Sequence, residues 1–282
     1  MTTLVFFLVL LSACLHASWN FTARRVSGNA TVVWMANLVS VLFLTLLLFW
    51  VESPFTGQAV SATGWLSLLL SGILHVAYYL LLGLAYRKGE VSIVYPVARG
   101  LGVATLPLIL WTFFEESLSA QGVAAIGIIV LGILTLGIPA LRKGSHKLGI
   151  PILIGLVIVS YSLADRTGAN AMNPIFYLWG MMLFIVIGQL PFLFRSLTRQ
   201  WRLTWKSHKK EIFLIGFADP SAYLIILICY TLGAASYIVA LREFSVVIAS
   251  FLGLLILKEK FTWSKITAIS LITLGMILMK LA

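Results

Sequence analysis

The chain is predicted to be an all-α integral membrane protein, its ten transmembrane helices forming two inverted five-helix repeats. Three observations carry that reading. The first is composition: the 282 residues are 61% hydrophobic and 10% charged, with a mean hydropathy of +1.04. Soluble domains carry about 45–50% apolar and about 25% charged residues. That gap excludes a soluble enzyme, a disordered tail, a collagenous chain and a coiled coil. A spanning barrel would show short alternating segments, whereas the apolar runs here are long. The second observation is where the basic residues fall, and the third is a match between the two halves of the chain.

An α-helix crosses the hydrocarbon core with about 20 apolar residues, and ten runs between charged or turn-forming breaks meet that requirement. The first spans Leu4 to Ala23 and stops at Arg24-Arg25. Its opening stretch has the length of a signal peptide, and Leu11-Ser12-Ala13-Cys14 looks like a lipoprotein cleavage box. No Lys or Arg precedes it, however, so it is read as a retained span. The second run, Thr31 to Val51, stops at Glu52-Ser53-Pro54, and the third, Gly64 to Tyr86, at Arg87-Lys88-Gly89. The fourth, Val91 to Phe114, ends at Glu115-Glu116, and the fifth, Ser119 to Leu141, leads into Arg142-Lys143-Gly144-Ser145-His146-Lys147. Gly149 to Gly168 and Ile175 to Phe194 are the sixth and seventh. A polar connection rich in Arg, Lys and Trp, Arg195 to Glu211, follows them. Ile212 to Thr231, Ala234 to Leu257 and Thr262 to the C-terminus complete the set.

Orientation follows from the Lys and Arg residues. Of the 20, 16 lie in connections after odd-numbered runs. The positive-inside rule places those connections in the cytoplasm and both termini outside a cytoplasmic (inner) membrane. The net charge of +11 therefore reports insertion and lipid headgroup contact rather than nucleic-acid binding. The exceptions are Arg99 and Arg242 inside helices, Arg166 near a helix end, and Lys280 at the C-terminus. Cys14 and Cys229 sit in apolar runs without metal-ligand spacing, so no zinc site, disulfide framework or cofactor is expected. Asn20-Phe21-Thr22 and Asn29-Ala30-Thr31 match the glycosylation pattern, which many chains match by chance.

Residues 1–143 align with residues 144–282. At an offset of 143, Arg99 meets Arg242, Glu116 meets Glu259 and Gly132 meets Gly275. At 145, Asn20 meets Asp165 and Trp34 meets Trp179. Five spans per half insert the second half upside down, an architecture that recurs in secondary transporters with substrate at the repeat interface. Phe114-Glu115-Glu116-Ser117-Leu118 and Leu257-Lys258-Glu259-Lys260-Phe261 each precede the last helix of a half. With the downstream glycines, and with Ser92-Ile93-Val94-Tyr95-Pro96-Val97-Ala98-Arg99-Gly100, they resemble the EamA-type transporters of the drug/metabolite transporter superfamily. The resemblance covers essentially the whole chain. It implies ten helices around a central cavity and alternating-access movement of small metabolites. Relatives are often drawn with both termini in the cytoplasm. Here the charge count is followed instead, because the superfamily includes proteins inserted either way.

Arg99 and Arg242 are the chief candidate site residues. A cation at the centre of a spanning helix costs about 2.5–3.5 kcal/mol on the insertion scale, so it has a partner or lines a wet cavity. One reading is a paired clamp on a carboxylate or phosphate; the other is neutralisation by Asp219 and Glu243. His75 aligns within one residue of Asp219, and the two are candidates for proton coupling, since no ATP-binding motif is present. Asp219-Pro220 and Pro96 mark candidate helix breaks near a site. Tyr79, Tyr95, Tyr223 and Tyr237 are candidate cavity-lining hydroxyls. Asp165, beside Arg166, reads as an interfacial ion pair. Glu116 and Glu259 read as carboxylates favouring the start of the helix that follows each. Gly122, Gly127, Gly132 and Gly137 recur every five residues and predict close packing on several faces of their helix.

The expected function is secondary active transport of a small metabolite bearing a carboxylate or phosphate. The partners are that substrate, the lipid bilayer and protons as the coupling ion, with monomer and homodimer both open. The alternative is export of amphipathic amino acids or drugs. A non-transporting membrane enzyme would need a clustered nucleophile or acid–base group near a membrane face, and none is found.

Overall fold

A computed structural model describes residues 1–26, 29–50, 60–87, 91–142, 148–258 and 262–281. Among the described residues every regular element is an α-helix. In chain order these are α1 (Thr3–Arg25), α2 (Ala30–Leu48), α3 (Ala62–Arg87), α4 (Val91–Phe113), α5 (Ala120–Arg142) and α6 (Gly149–Ala171), then α7 (Pro174–Leu232), α8 (Ala235–Arg242), α9 (Phe244–Leu257) and α10 (Trp263–Leu281). Among the described residues eight stretches are long and apolar enough to cross a membrane, one of them running from α8 into α9.

The surface confirms the solvent for which the chain is built. Leu4, Phe7 and Leu11 on α1 and Leu42 and Leu46 on α2 are exposed, whereas Ser12, His16, Asn37 and Ser40 on the same helices are buried. Apolar side chains outside and polar ones inside reverse the soluble pattern, as expected where lipid surrounds the helices.

The helix starts are chemically marked. Asn29 accepts the N–H groups of Thr31 (3.0 Å) and Val32 (3.4 Å) at the start of α2. Asn173 does the same for Ile175 (2.9 Å) and Phe176 (3.4 Å) at the start of α7, with Pro174 in the first helical position. Such caps stabilise a helix by about 1 kcal/mol. Asn29 therefore serves as a cap, and Asn20 turns its amide to the His16 carbonyl (2.8 Å).

Two boundaries differ from the expectation. The seventh and eighth runs are joined, because the expected polar connection from Arg195 to Glu211 is helical apart from His208 (φ −130°, ψ 27°). Arg, Lys and Gln are good helix formers wherever water reaches them, so charge ends the span without ending the helix. At about 1.5 Å per residue, 59 residues would reach about 88 Å, far beyond a bilayer. The two limbs of α7 instead both pack on α2: Thr31 meets Ser196 (2.8 Å) and Ser40 donates to the Gly216 carbonyl (3.0 Å). The expected ninth helix is broken at Glu243 into α8 and α9.

Internal correspondence shows in the packing. On α5, a Cβ added at Gly132 would lie 2.9 Å from Ile272 and 3.2 Å from the Ala268 carbonyl of α10. On α10, one at Gly275 would lie 2.6 Å from Ile129 and 2.8 Å from the Ala125 carbonyl of α5. Each pair is related by the offset of 143, so the two helices exchange the same contact, as elements about a two-fold axis do. Glu115 and Lys258, another pair at that offset, share a φ of 52°. Trp34 and Trp179, at the offset of 145, both donate across the α2–α7 crossing, to Val186 O (3.0 Å) and Thr45 Oγ1 (2.9 Å). Both chain ends lie on one side, where Lys280 Nζ donates to Thr3 Oγ1 (2.9 Å).

Candidate functional site

Six helices converge on one polar cluster. His16 and Trp19 come from α1, His75, Tyr78 and Tyr79 from α3, Arg99 from α4 and Tyr161 from α6. Met181, Met182, Asp219 and Tyr223 come from α7, and Arg242 from α8. The space between them is about 20 Å³, room for one water rather than a metabolite. The cavity is thus too small for a metabolite in this conformation.

The two arginines have different surroundings. Arg99 Nε donates to Glu243 Oε2 at 3.1 Å and its Nη2 lies 2.8 Å from Oε1, a buried ion pair. The helix break at Glu243 lets this carboxylate turn from α8 toward α4. Arg242 has no Asp or Glu oxygen within 4.0 Å among the described residues. Its guanidinium rests over the Tyr223 ring (5.3 Å to the centroid), and Nη2 donates to His16 Nδ1 at 3.3 Å. Trp19 Nε1 donates to the same nitrogen at 3.3 Å. Guanidinium and indole only donate, so His16 Nδ1 is an acceptor and its proton sits on Nε2.

Asp219 accepts from the Tyr79 hydroxyl at 3.3 Å and likewise has no cation within 4.0 Å among the described residues. It lies in a continuous stretch of α7, because Pro220 leaves the local backbone helical.

A second unit adjoins the first. Asp165 does not pair with Arg166; it is fully buried and accepts from the hydroxyls of Ser71, Tyr177 (2.8 Å) and Tyr223. Residues 165 and 166 point about 100° apart on a helix, which sends Arg166 outward to Glu116 (3.7 Å) and Asp165 inward. His75 belongs to this unit rather than to Asp219. Its Nδ1 lies 3.0 Å from the Ser71 carbonyl, an acceptor only, so Nδ1 carries the proton and the Ser71 hydroxyl remains free to donate to Asp165. The His75 ring stacks on Tyr161 with centroids 4.2 Å apart. Tyr223 joins the units, donating to Asp165 while its ring face carries Arg242.

The structure therefore gathers Arg99, Arg242, His75, Tyr79, Tyr223, Asp219, Glu243 and Asp165 into one interior cluster. Tyr237 is elsewhere: it faces the end of the molecule that holds Met1 and accepts the Ser119 N–H (2.9 Å). The side chains of Tyr95 and Pro96 lie outside the described residues, as do Glu259, Lys260 and the connection 143–147. Glu116 is also corrected: it accepts backbone N–H groups of α8 rather than serving its own α5. His16, Tyr161, Ser71 and Tyr177 were missed. The signal for two of them was present, since His16 and Tyr161 stand at the offset of 145 one turn before Asn20 and Asp165. His75/Asp219 and Tyr79/Tyr223 are further pairs, at an offset of 144.

Apolar exterior, spanning helices and a buried polar cluster define the class, a multi-span membrane protein with ionisable side chains gathered among its helices. Residues 148–281 match the model of the EamA-like transporter family, and residues 57–129 match that of the Small Multidrug Resistance protein. The two matches indicate a membrane transporter of small molecules and are consistent with the drug/metabolite transporter superfamily. A solved structure described as "Crystal structure of protein" superposes over 100% of this chain and 98% of its own, with a TM-score of 0.73 at 12% identity. That likeness shows the fold alone. No functionally curated protein matches the chain.

Proposed function

We propose that this protein is a secondary transporter of small amphipathic amino acids, built as ten spans in two inverted halves, 1–143 and 144–282, and working by alternating access across the inner membrane. The ten spans are α1 to α6, the two limbs of α7, α8 with α9, and α10; the reciprocal α5–α10 contact supports the inversion. The observation that carries the substrate reading is the pairing of charges. Arg99 is taken by Glu243, while Arg242 and Asp219 each face the cavity without an opposite charge in contact. One buried cation and one buried anion in the same cavity, neither with an opposite charge within 4.0 Å among the described residues, suit a substrate that brings both signs: its carboxylate to Arg242 and its ammonium to Asp219.

Charge counting supports this over a phosphate. Arg99 and Arg242 face Glu243, Asp219 and Asp165, so with all carboxylates ionised the cluster sums to −1. A dianion would enter a site with no spare positive charge. Rings of Trp19, Tyr78, Tyr79 and Tyr161 supply apolar walls for the side chain. Without a nucleotide-binding segment, the driving force is an ion or substrate gradient, and Asp219 is the proposed proton carrier.

Counterflow in liposomes tests the reading, with purified full-length protein and labelled phenylalanine, leucine, benzoate and glycerol 3-phosphate. Exchange of the two amino acids, and of neither anion, is the expected result. Exchange of glycerol 3-phosphate with none of the amino acids would overturn it in favour of the anion clamp.

A further inference from the structure

The end of the molecule that carries both termini holds an arrangement the site does not use. The chain between α4 and α5 turns at Glu115, whose φ of 52° lies in the left-handed region that side-chain-bearing residues seldom adopt. That turn sends Glu116 into the other half of the chain. Its Oε1 accepts the Ser236 N–H at 2.9 Å and its Oε2 the Ala235 N–H at 3.2 Å. The carboxylate thus sits on the first turn of α8, where free N–H groups and the positive end of the helix dipole meet it. Arg166 stands behind it, 3.7 Å away, with its guanidinium over the Phe114 ring. The Tyr237 hydroxyl, on the same turn of α8, accepts the Ser119 N–H at 2.9 Å. Gly122 leaves room for that ring; a Cβ there would stand 2.3 Å from its oxygen.

The helix held in this way has the candidate substrate residue at its other end. α8 is eight residues long, about 12 Å, and runs from the Glu116 contact to Arg242. Beside its outer half lies a cleft of about 310 Å³ whose walls include Met1, Val5, Leu232, Tyr237 and Ile238. Beside its inner end lies the much smaller polar cavity of about 20 Å³. Val239, Ala240 and Leu241 fill the interval and are buried. A passage from the cleft to Arg242 along α8 would run through these buried residues.

We infer that Glu116 is a positioning residue: it latches α8 shut toward the face carrying the termini and holds Arg242 in the cavity, and its release opens the cavity to that face. The inference rests on the transport reading above, and it concerns which contact governs access from one side. It adds a role for a carboxylate outside the cavity. By this account the cavity cannot open toward the termini while both α8 N–H bonds to Glu116 persist.

Sided thiol labelling tests the latch without needing the substrate. Full-length protein with Cys14→Ser and Cys229→Ala carries one reporter in the cavity wall, Met182→Cys, and is reconstituted in liposomes. A membrane-impermeant cationic methanethiosulfonate is then applied from either face. Glu116→Gln loses the charge and one acceptor oxygen, so labelling from the terminal face should rise about tenfold, with no rise from the opposite face. Glu116→Asp, too short to hold both N–H groups, should fall between. Tyr237→Phe removes only the hydroxyl, and should shift labelling the same way by a smaller factor even if Glu116→Gln folds poorly. Unchanged labelling, or an equal rise from both faces, would overturn the latch while leaving transport standing. A reporter unreachable from both faces in the parent and every variant would overturn the transport reading as well.

Discussion

Arg99 and Arg242 stand 143 residues apart, at matching points of the two proposed halves, and one neighbour separates their surroundings. Glu243 follows Arg242 in sequence yet binds Arg99, because the helix break at 243 turns its carboxylate across to α4. Removing one partner of a buried pair costs about 3–5 kcal/mol, whereas replacing both by apolar groups is often neutral. Glu243→Gln should therefore lower the unfolding temperature in detergent markedly. The double change Arg99→Met with Glu243→Leu should restore most of the loss, as thermal unfolding followed by size-exclusion recovery would show. Asp219 has a different expected behaviour. With Tyr79 as its hydrogen-bond partner and no cation in contact, Asp219→Asn should leave the fold intact. It should abolish accumulation driven by a pH gradient while sparing one-for-one exchange, measured side by side in the same liposomes. Retained accumulation would remove Asp219 from the proton path.

Close contact decides the behaviour of individual elements. At Gly275 an added Cβ meets the Ala125 carbonyl at 2.8 Å, backbone that cannot rotate away, whereas Gly127 on the facing helix has nothing within 4 Å. Gly275→Val should accordingly cut the yield of folded protein severalfold, and Gly127→Ala should raise helix stability by up to about 1 kcal/mol; fluorescence-detected size exclusion separates the two outcomes. Elements were legible in the sequence where the solvent wrote them. Runs such as Leu4 to Ala23 and Gly149 to Gly168 lie within two or three residues of α1 and α6, since hydrocarbon demands an uninterrupted apolar stretch. Helix continuity through Arg195 to Glu211 was not legible, because basic residues that leave the membrane still favour a helix. Nor was the break at Glu243, whose apolar flanks read as one span. In the site, Arg99, Arg242, Asp219 and His75 stood out as ionisable groups in apolar runs. Ser71, Tyr161 and Tyr177 are ordinary in such helices, and their importance comes from partners on other helices, brought near only by the fold.

At the scale of the whole molecule, a charge asymmetry in the loops accompanies a small polar cavity among the helices. The termini share one face, and we propose from the loop charges that this face is the outer one. A reporter that fluoresces only in the cytoplasm, fused after Ala282, should stay dark; a bright fusion would reverse the orientation and make the Glu116 latch an inner one. The central claim is that Arg242, and not its repeat partner Arg99, holds the carboxylate of the substrate. Lys keeps the charge of either residue but loses the planar fork. The decisive measurement is counterflow of labelled phenylalanine by Arg242→Lys and Arg99→Lys, each scaled to the amount of folded protein. The account predicts at least a tenfold loss for Arg242→Lys, with Arg99→Lys, still able to neutralise Glu243, close to the parent. Equal losses in both variants, or full exchange by Arg242→Lys, would contradict it.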